Sequence, residues 1–177
     1  MKLFHFSEDP NIRLFEPRQS RPLPRLPADV RLVWAIDEWH SPMYFFPREC
    51  PRVLLWALND SLPEDVEMWM GPGDFRMVAY VEQQWIEKVE NCELYRYSFD
   101  AESFVDIRDA GFHVSRQALE PVAVEAMGRL PEQLMAAQVD LRPVDSLQPF
   151  ADARVWESSL HFSGIKLHNA RGWRLQE

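Results

Sequence analysis

Lys2-Leu3-Phe4-His5-Phe6-Ser7 opens the chain as an alternating run, and its reading decides the rest. In extended backbone alternate side chains share a face, so Phe4 and Phe6 are expected to point into a core while His5 and Ser7 point together the other way. A polar pair held on a rigid strand is a way to build a binding cleft. His5 and Ser7 are therefore the first candidate residues: an imidazole that donates and accepts near neutral pH, beside a hydroxyl. Ser7 has a plainer use as well, accepting from the backbone of Asp9 in a turn.

Outward from this strand, Pro17 to Pro27 is dense in proline and arginine, which forbids a helix interior or a central strand and reads as a surface loop. Leu32–Ile36 reads as a strand. Ser41-Pro42 has the look of a helix start, with Pro47 ending a short helix that carries Tyr44. Arg52–Leu58 is apolar on both faces, as in a strand inside a sheet. Strand is expected over Phe75–Val81, helix over Glu82–Glu90 with Trp85, Ile86 and Val89 facing inward, and an alternating strand over Glu93–Phe99. Phe112–Ser115 and Val122–Val124 read as short strands, helices start near Pro131 and Pro149, and Leu141 marks a short extended piece. Phe162–Leu167 is open between strand and turn. No Gly-rich phosphate loop or dinucleotide fingerprint follows any strand, so the expected fold is α+β, one domain over 1–177.

The totals narrow the function. The 177 residues are 46% hydrophobic and 12% aromatic, ample for a core. With 19 basic against 28 acidic residues the net charge is −9, which argues against duplex nucleic acid and anionic membranes as partners. Cys50 and Cys92 suit reduced thiols, and no apolar run is long enough to span a bilayer, so the expected compartment is cytoplasmic. Cys50, beside Glu49, reads as a small buried hydrophobe rather than an activated thiolate.

Other candidates carry two readings each. Arg18, Arg21 and Arg25 could clamp a phosphate or be solvated charge. Glu82, at an expected helix start, is favoured there by the helix dipole, and beside His5 it would form an acid–base pair. Asp37, Glu38 and His40 lie close in sequence, but no His-x-x-x-His or CxxC supports a metal, and none is expected. His113, His161 and His168 are read as structural.

Four stretches together resemble a small bacterial family of unknown function: Phe4 to Pro10, Val33 to Glu38, Phe46 to Val53 and Phe162 to Ala170. More remotely, the order of motifs is similar to the ADP-ribosyltransferase-like fold, a split, mostly antiparallel mixed sheet with short helices that grips NAD. That resemblance implies His5 on a ribose, Ser7 beside it, Trp34 on the second strand and Tyr44 packed on nicotinamide. It also implies NAD as cofactor or a small nucleotide-like ligand, with Arg18 on phosphate. Phe6 stands where glycine is usual in that group, and its third-motif glutamate has no clear counterpart, the nearest acidic residues being Asp109 and Glu120, so the implied function is nucleotide binding without assured catalysis. Two alternatives stand beside it. One is a non-catalytic interaction module using Trp39, Trp69 and Trp173 on a protein partner. The other is a hydrolase pairing His5 with Glu82 or Asp37, which needs imidazole and carboxylate within about 3 Å.

Overall fold

The structure is a computed structural model that describes residues 1–20, 23, 27 and 29–175. In chain order the strands are β1 (Lys2–Ser7), β2 (Arg18–Gln19), β3 (Arg31–Ile36), β4 (Arg52–Trp56), β5 (Met77–Glu82), β6 (Tyr95–Asp100), β7 (Val105–Asp106), β8 (Phe112–Ser115), β9 (Ala123–Ala126), β10 (Val139–Val144) and β11 (His161–Ile165). The α-helices are short: α1 (Pro63–Trp69), α2 (Ile86–Asn91), α3 (Leu130–Ala136) and α4 (Gln148–Asp152). The fold class is α+β, with strand pairing antiparallel except between β5 and β10. Among the described residues no helix is long and apolar enough to cross a membrane.

The chain divides into two units, each drawn from two stretches: Met1–Tyr44 with Glu93–Gly128, and Phe45–Cys92 with Arg129–Glu177. Neither is a contiguous piece, so no linker composition marks a boundary in the sequence.

The first unit holds a sheet in the order β7-β8-β3-β1-β6-β9, with β2 added on β3. Part of the expected proline-rich loop is thus a two-residue strand, Arg18 opposite Leu32. Arg21 and Arg25 lie outside the described residues. A strip of backbone crosses this unit where Phe15 and Leu119 exchange hydrogen bonds at 2.8 and 3.0 Å. Phe15 packs there with Val33, Tyr97 and Phe99.

The second unit holds the sheet β10-β5-β4-β11. All of β4 is buried, as its two apolar faces predict. Val53, Leu55, Val78, Leu147, Phe150 and Val155 form its core, each such side chain contributing roughly 1.5–3 kcal/mol on burial. The open stretch at Phe162 is the strand β11, ended by Lys166 in the left-handed region at φ 54°. Residues 82–90 differ from the expected helix: Glu82 is the last residue of β5, and a 3-10 turn precedes α2. The expected helix at Ser41 is a 3-10 turn over Ser41–Tyr44, and Ser41 Oγ donates back to the Glu38 carbonyl instead of capping forward.

Candidate functional site

Strand register sorts the candidate residues of the first unit onto two faces. Phe4 is opposite Ile36, and Ile36 opposite Phe112, so these three share a face. Trp34 joins them, its ring 5.4 Å from that of Phe112, and Tyr44 meets the same ring at 6.0 Å, both edge-to-face. The other face carries His5 opposite Tyr97 and Ala35 opposite His113. Asp37 continues that face past the end of β3, because its N–H donates to the Gly111 carbonyl at 2.9 Å and extends the β3–β8 pairing by one step. His5 and Ser7 thus lie on one side of the sheet, and Trp34 and Tyr44 on the other.

The expected open face for His5 and Ser7 is covered. Phe15 stands edge-on to the imidazole at 4.9 Å and also packs on Tyr97 and Phe99. The strip through Phe15 and Leu119 adds a layer that alternation along β1 alone does not reveal. His5 Nδ1 lies 3.0 Å from the Trp34 carbonyl, and since a carbonyl can only accept, the ring donates there through Nδ1–H. Ser7 is 8% exposed, and its Oγ accepts from the Asp9 N–H at 3.1 Å, the turn-forming use. Arg18 is exposed on β2.

Glu82 sits in the second unit, fully buried, with both carboxylate oxygens engaged there: one accepts from Gln84 Nε2 at 2.8 Å, the other from the Arg171 N–H at 2.9 Å. Its carboxylate ties the segment after β11 to the end of β5. Arg52, nearly fully buried, donates through Nη1 to the Cys50 carbonyl at 2.8 Å and lies over the Phe46 ring at 4.9 Å. Burial pushes the Cys50 thiol up to about 12, against the pull of the Arg52 charge. Of the three tryptophans named for a partner surface, Trp39 is 39% exposed, while Trp69 and Trp173 are half-buried against the second unit's core.

The imidazole–carboxylate pair that does form is Asp37 with His40. His40 Nδ1 lies 2.8 Å from Asp37 Oδ1 and 3.0 Å from Oδ2, and the His40 backbone N–H donates to the same Oδ1 at 2.8 Å. One carboxylate therefore fixes both the turn and the ring on it. The two side chains remain 21% and 25% exposed, enough for water to reach the pair. Partial burial pushes the Asp37 carboxyl upward, but the hydrogen bonds from the His40 ring and backbone, with the charges of His40 and His113, outweigh it and hold Asp37 below its ordinary value. Trp39 meets the His40 ring edge-on at 4.6 Å.

Gly111 walls the pair. It lies at φ +74°, and a Cβ there would fall 2.3 Å from His40 Nδ1 and 2.5 Å from Asp37 Oδ2. Its carbonyl accepts from Asp37 N–H and, at 3.0 Å, from His113 Nδ1. His5 and His113 thus lie on one face of one sheet, and His40 meets Asp37 there from the turn after β3. Among the described residues no group of three or more His, Cys, Asp or Glu is placed to hold a metal ion.

The sequence alone offers His40 as a metal ligand with Asp37 and Glu38, and offers no partner for His113. The signal for the first was present: an Asp three residues before a His, just past a strand, lets one carboxylate accept from the backbone and ring of the same residue. His113 and Gly111 become visible once β8 is set in register against β3.

No curated protein and no solved structure matches the chain. The family model that does match runs from residue 4 to residue 170 and takes in both units' sheets, and the chain belongs to that family, a family of unknown function, DUF6886.

Proposed function

We propose that the first unit is a hydrolase domain in which Asp37 and His40 activate water against a small electrophilic substrate. The observation that carries this is the 2.8 Å Nδ1–Oδ1 contact on a carboxylate that also binds the His40 N–H. With Nδ1–H given to Asp37, the second ring nitrogen of neutral His40 is the basic one. It takes a proton from water as the water oxygen attacks, and the ionised Asp37 balances the imidazolium that forms. The test is hydrolysis of p-nitrophenyl acetate by the wild-type protein, His40→Gln and Asp37→Asn, with matched thermal unfolding to show that each variant is folded. His40→Gln is expected to lower the rate about a hundredfold or more. A folded His40→Gln protein with the wild-type rate would sink the reading.

A second reading has its own support, the edge-to-face run of Trp34, Phe112 and Tyr44 on the opposite face. Such rings suit the stacking of an adenine or nicotinamide, with NAD as the ligand that the motif order implies and Arg18 available to a phosphate. NAD or ADP-ribose raising the melting temperature of the wild type but not of Tyr44→Ala supports it. No shift with either ligand removes it.

A further inference from the structure

We propose that His113 is a second proton carrier working with His40, so that the site cleaves esters whose leaving group departs as an alkoxide and needs a proton. This rests on the Asp37–His40 reading. His113 is 7% exposed, and among the described residues the Gly111 carbonyl is the hydrogen-bond partner of its ring. That bond engages Nδ1 and leaves Nε2 as the nitrogen available for chemistry, in a side chain more than nine-tenths buried.

Gly111 links the two imidazoles. Its α-carbon presses on the Asp37–His40 pair so closely that a methyl group would collide with both, and its carbonyl orients His113. The charges of both rings act on the Asp37 carboxyl and help to lower it. On this face of the sheet His113 has Asp106 opposite it on β7 and His5 beyond Ala35, and its charge acts on Asp37, which holds His40. Asp106 Oδ1 accepts from the Arg108 N–H at 2.7 Å. A carboxylate-bound imidazole is suited to begin neutral and become cationic, since the charge it acquires is met by Asp37. An imidazole held through a carbonyl can begin protonated and end neutral with its one hydrogen bond kept.

The step then balances. Water gives a proton to His40 Nε2 as its oxygen bonds to the acyl carbon. The bond from that carbon to the leaving oxygen breaks with both electrons on oxygen, which takes the proton from His113 Nε2. Acid and alcohol leave, and one proton returns from His40 to His113 through solvent. A leaving group that is stable as an anion, such as p-nitrophenolate, needs the second transfer far less than ethoxide does.

The experiment compares p-nitrophenyl acetate with ethyl acetate for wild type, His113→Gln and His40→Gln. The loss caused by His113→Gln is expected to be about a hundredfold larger on the ethyl ester than on the p-nitrophenyl ester, whereas His40→Gln lowers both rates alike. Equal losses on the two esters in His113→Gln, or a wild type that cleaves the p-nitrophenyl ester alone, would overturn the role of His113 and leave the pair standing. A wild type inactive on both, or a folded His40→Gln with full activity, would overturn the pair itself. Long-range proton–nitrogen NMR supplies a readout apart from rate. A proton is expected on His113 Nδ1, held to the Gly111 carbonyl, and a wild type in which that nitrogen carries none also overturns the proposal.

Discussion

Replacing Gly111 by alanine tests the construction of the site with a magnitude that the structure sets. The residue sits at φ +74°, and the added methyl would lie 2.3 Å from His40 Nδ1, 2.5 Å from Asp37 Oδ2 and 2.6 Å from Asp37 Cγ. A left-handed backbone costs an L-residue roughly 1–2 kcal/mol, and forcing a methyl into filled space adds about 1–3 kcal/mol. Gly128 isolates the second part, because it has φ +70° and nothing within 4 Å of the position its Cβ would take. Both replacements share the left-handed strain and the gain of about 0.4–1 kcal/mol from a stiffer unfolded chain. The difference between Gly111→Ala and Gly128→Ala in urea unfolding is therefore the collision alone, expected at about 1–3 kcal/mol. Gly111→Ala should also lose the hydrolytic rate, since the atoms that must yield are the carboxylate and imidazole themselves. Equal destabilisation by the two variants, with activity kept in Gly111→Ala, would refute the close packing of Gly111 on the pair.

Tyr97→Phe should destabilise the protein by about 1–3 kcal/mol in the same assay, because the buried hydroxyl donates to the Asp9 carbonyl and accepts from the Ile12 N–H, and both lose a partner. Glu82→Gln should cost roughly 1.5–3 kcal/mol, since an amide cannot accept with both ends from Gln84 and the Arg171 N–H; a neutral result would show that the carboxylate is not what holds them. Native protein treated with a thiol reagent near pH 8 should label Cys92, with Cys50 labelled after unfolding, because burial raises the Cys50 thiol to about 12. Asp37 has a folded pKa below its unfolded value, so its contribution to stability is complete above about pH 4 and is lost as pH falls through the lowered folded value. Asp37→Asn should flatten that part of the acid unfolding curve, and an unchanged curve would show that the pair adds no stability.

How much was legible in the sequence depended on whether a residue's environment lies on its own strand. Val53, Leu54 and Leu55 announce a buried strand because a segment apolar on both faces has few other ways to be satisfied. Tyr95, Tyr97 and Phe99 share a side by alternation and do pack in one cluster. The face of β1 that carries His5 and Ser7 is covered rather than open for the opposite reason. Alternation gives which residues share a face, but what covers that face is Phe15, folded back after β1 and held there by its pairing with the distant Leu119. The parallel partner of β5 was likewise hidden, since β10 follows it across a long connection and a parallel pair leaves no hairpin signal.

The candidate site follows the same division. Asp37 and His40 are three residues apart, and a short polar side chain just past a strand end commonly accepts from the backbone a few residues on, so their contact is a local matter. His113 enters through a register that pairs Ala35 with it, and through Gly111, whose missing side chain makes room for the pair. A glycine at positive φ between Ala110 and Phe112 reads in isolation as a turn. Set opposite Asp37 it becomes a backbone position where a carboxylate, an imidazole and a second imidazole's hydrogen bond all meet. Local chemistry can therefore select the carboxylate–imidazole pair, but the strand pairing that builds the sheet supplies the second imidazole, and a two-histidine reaction follows from the fold rather than from any contiguous motif.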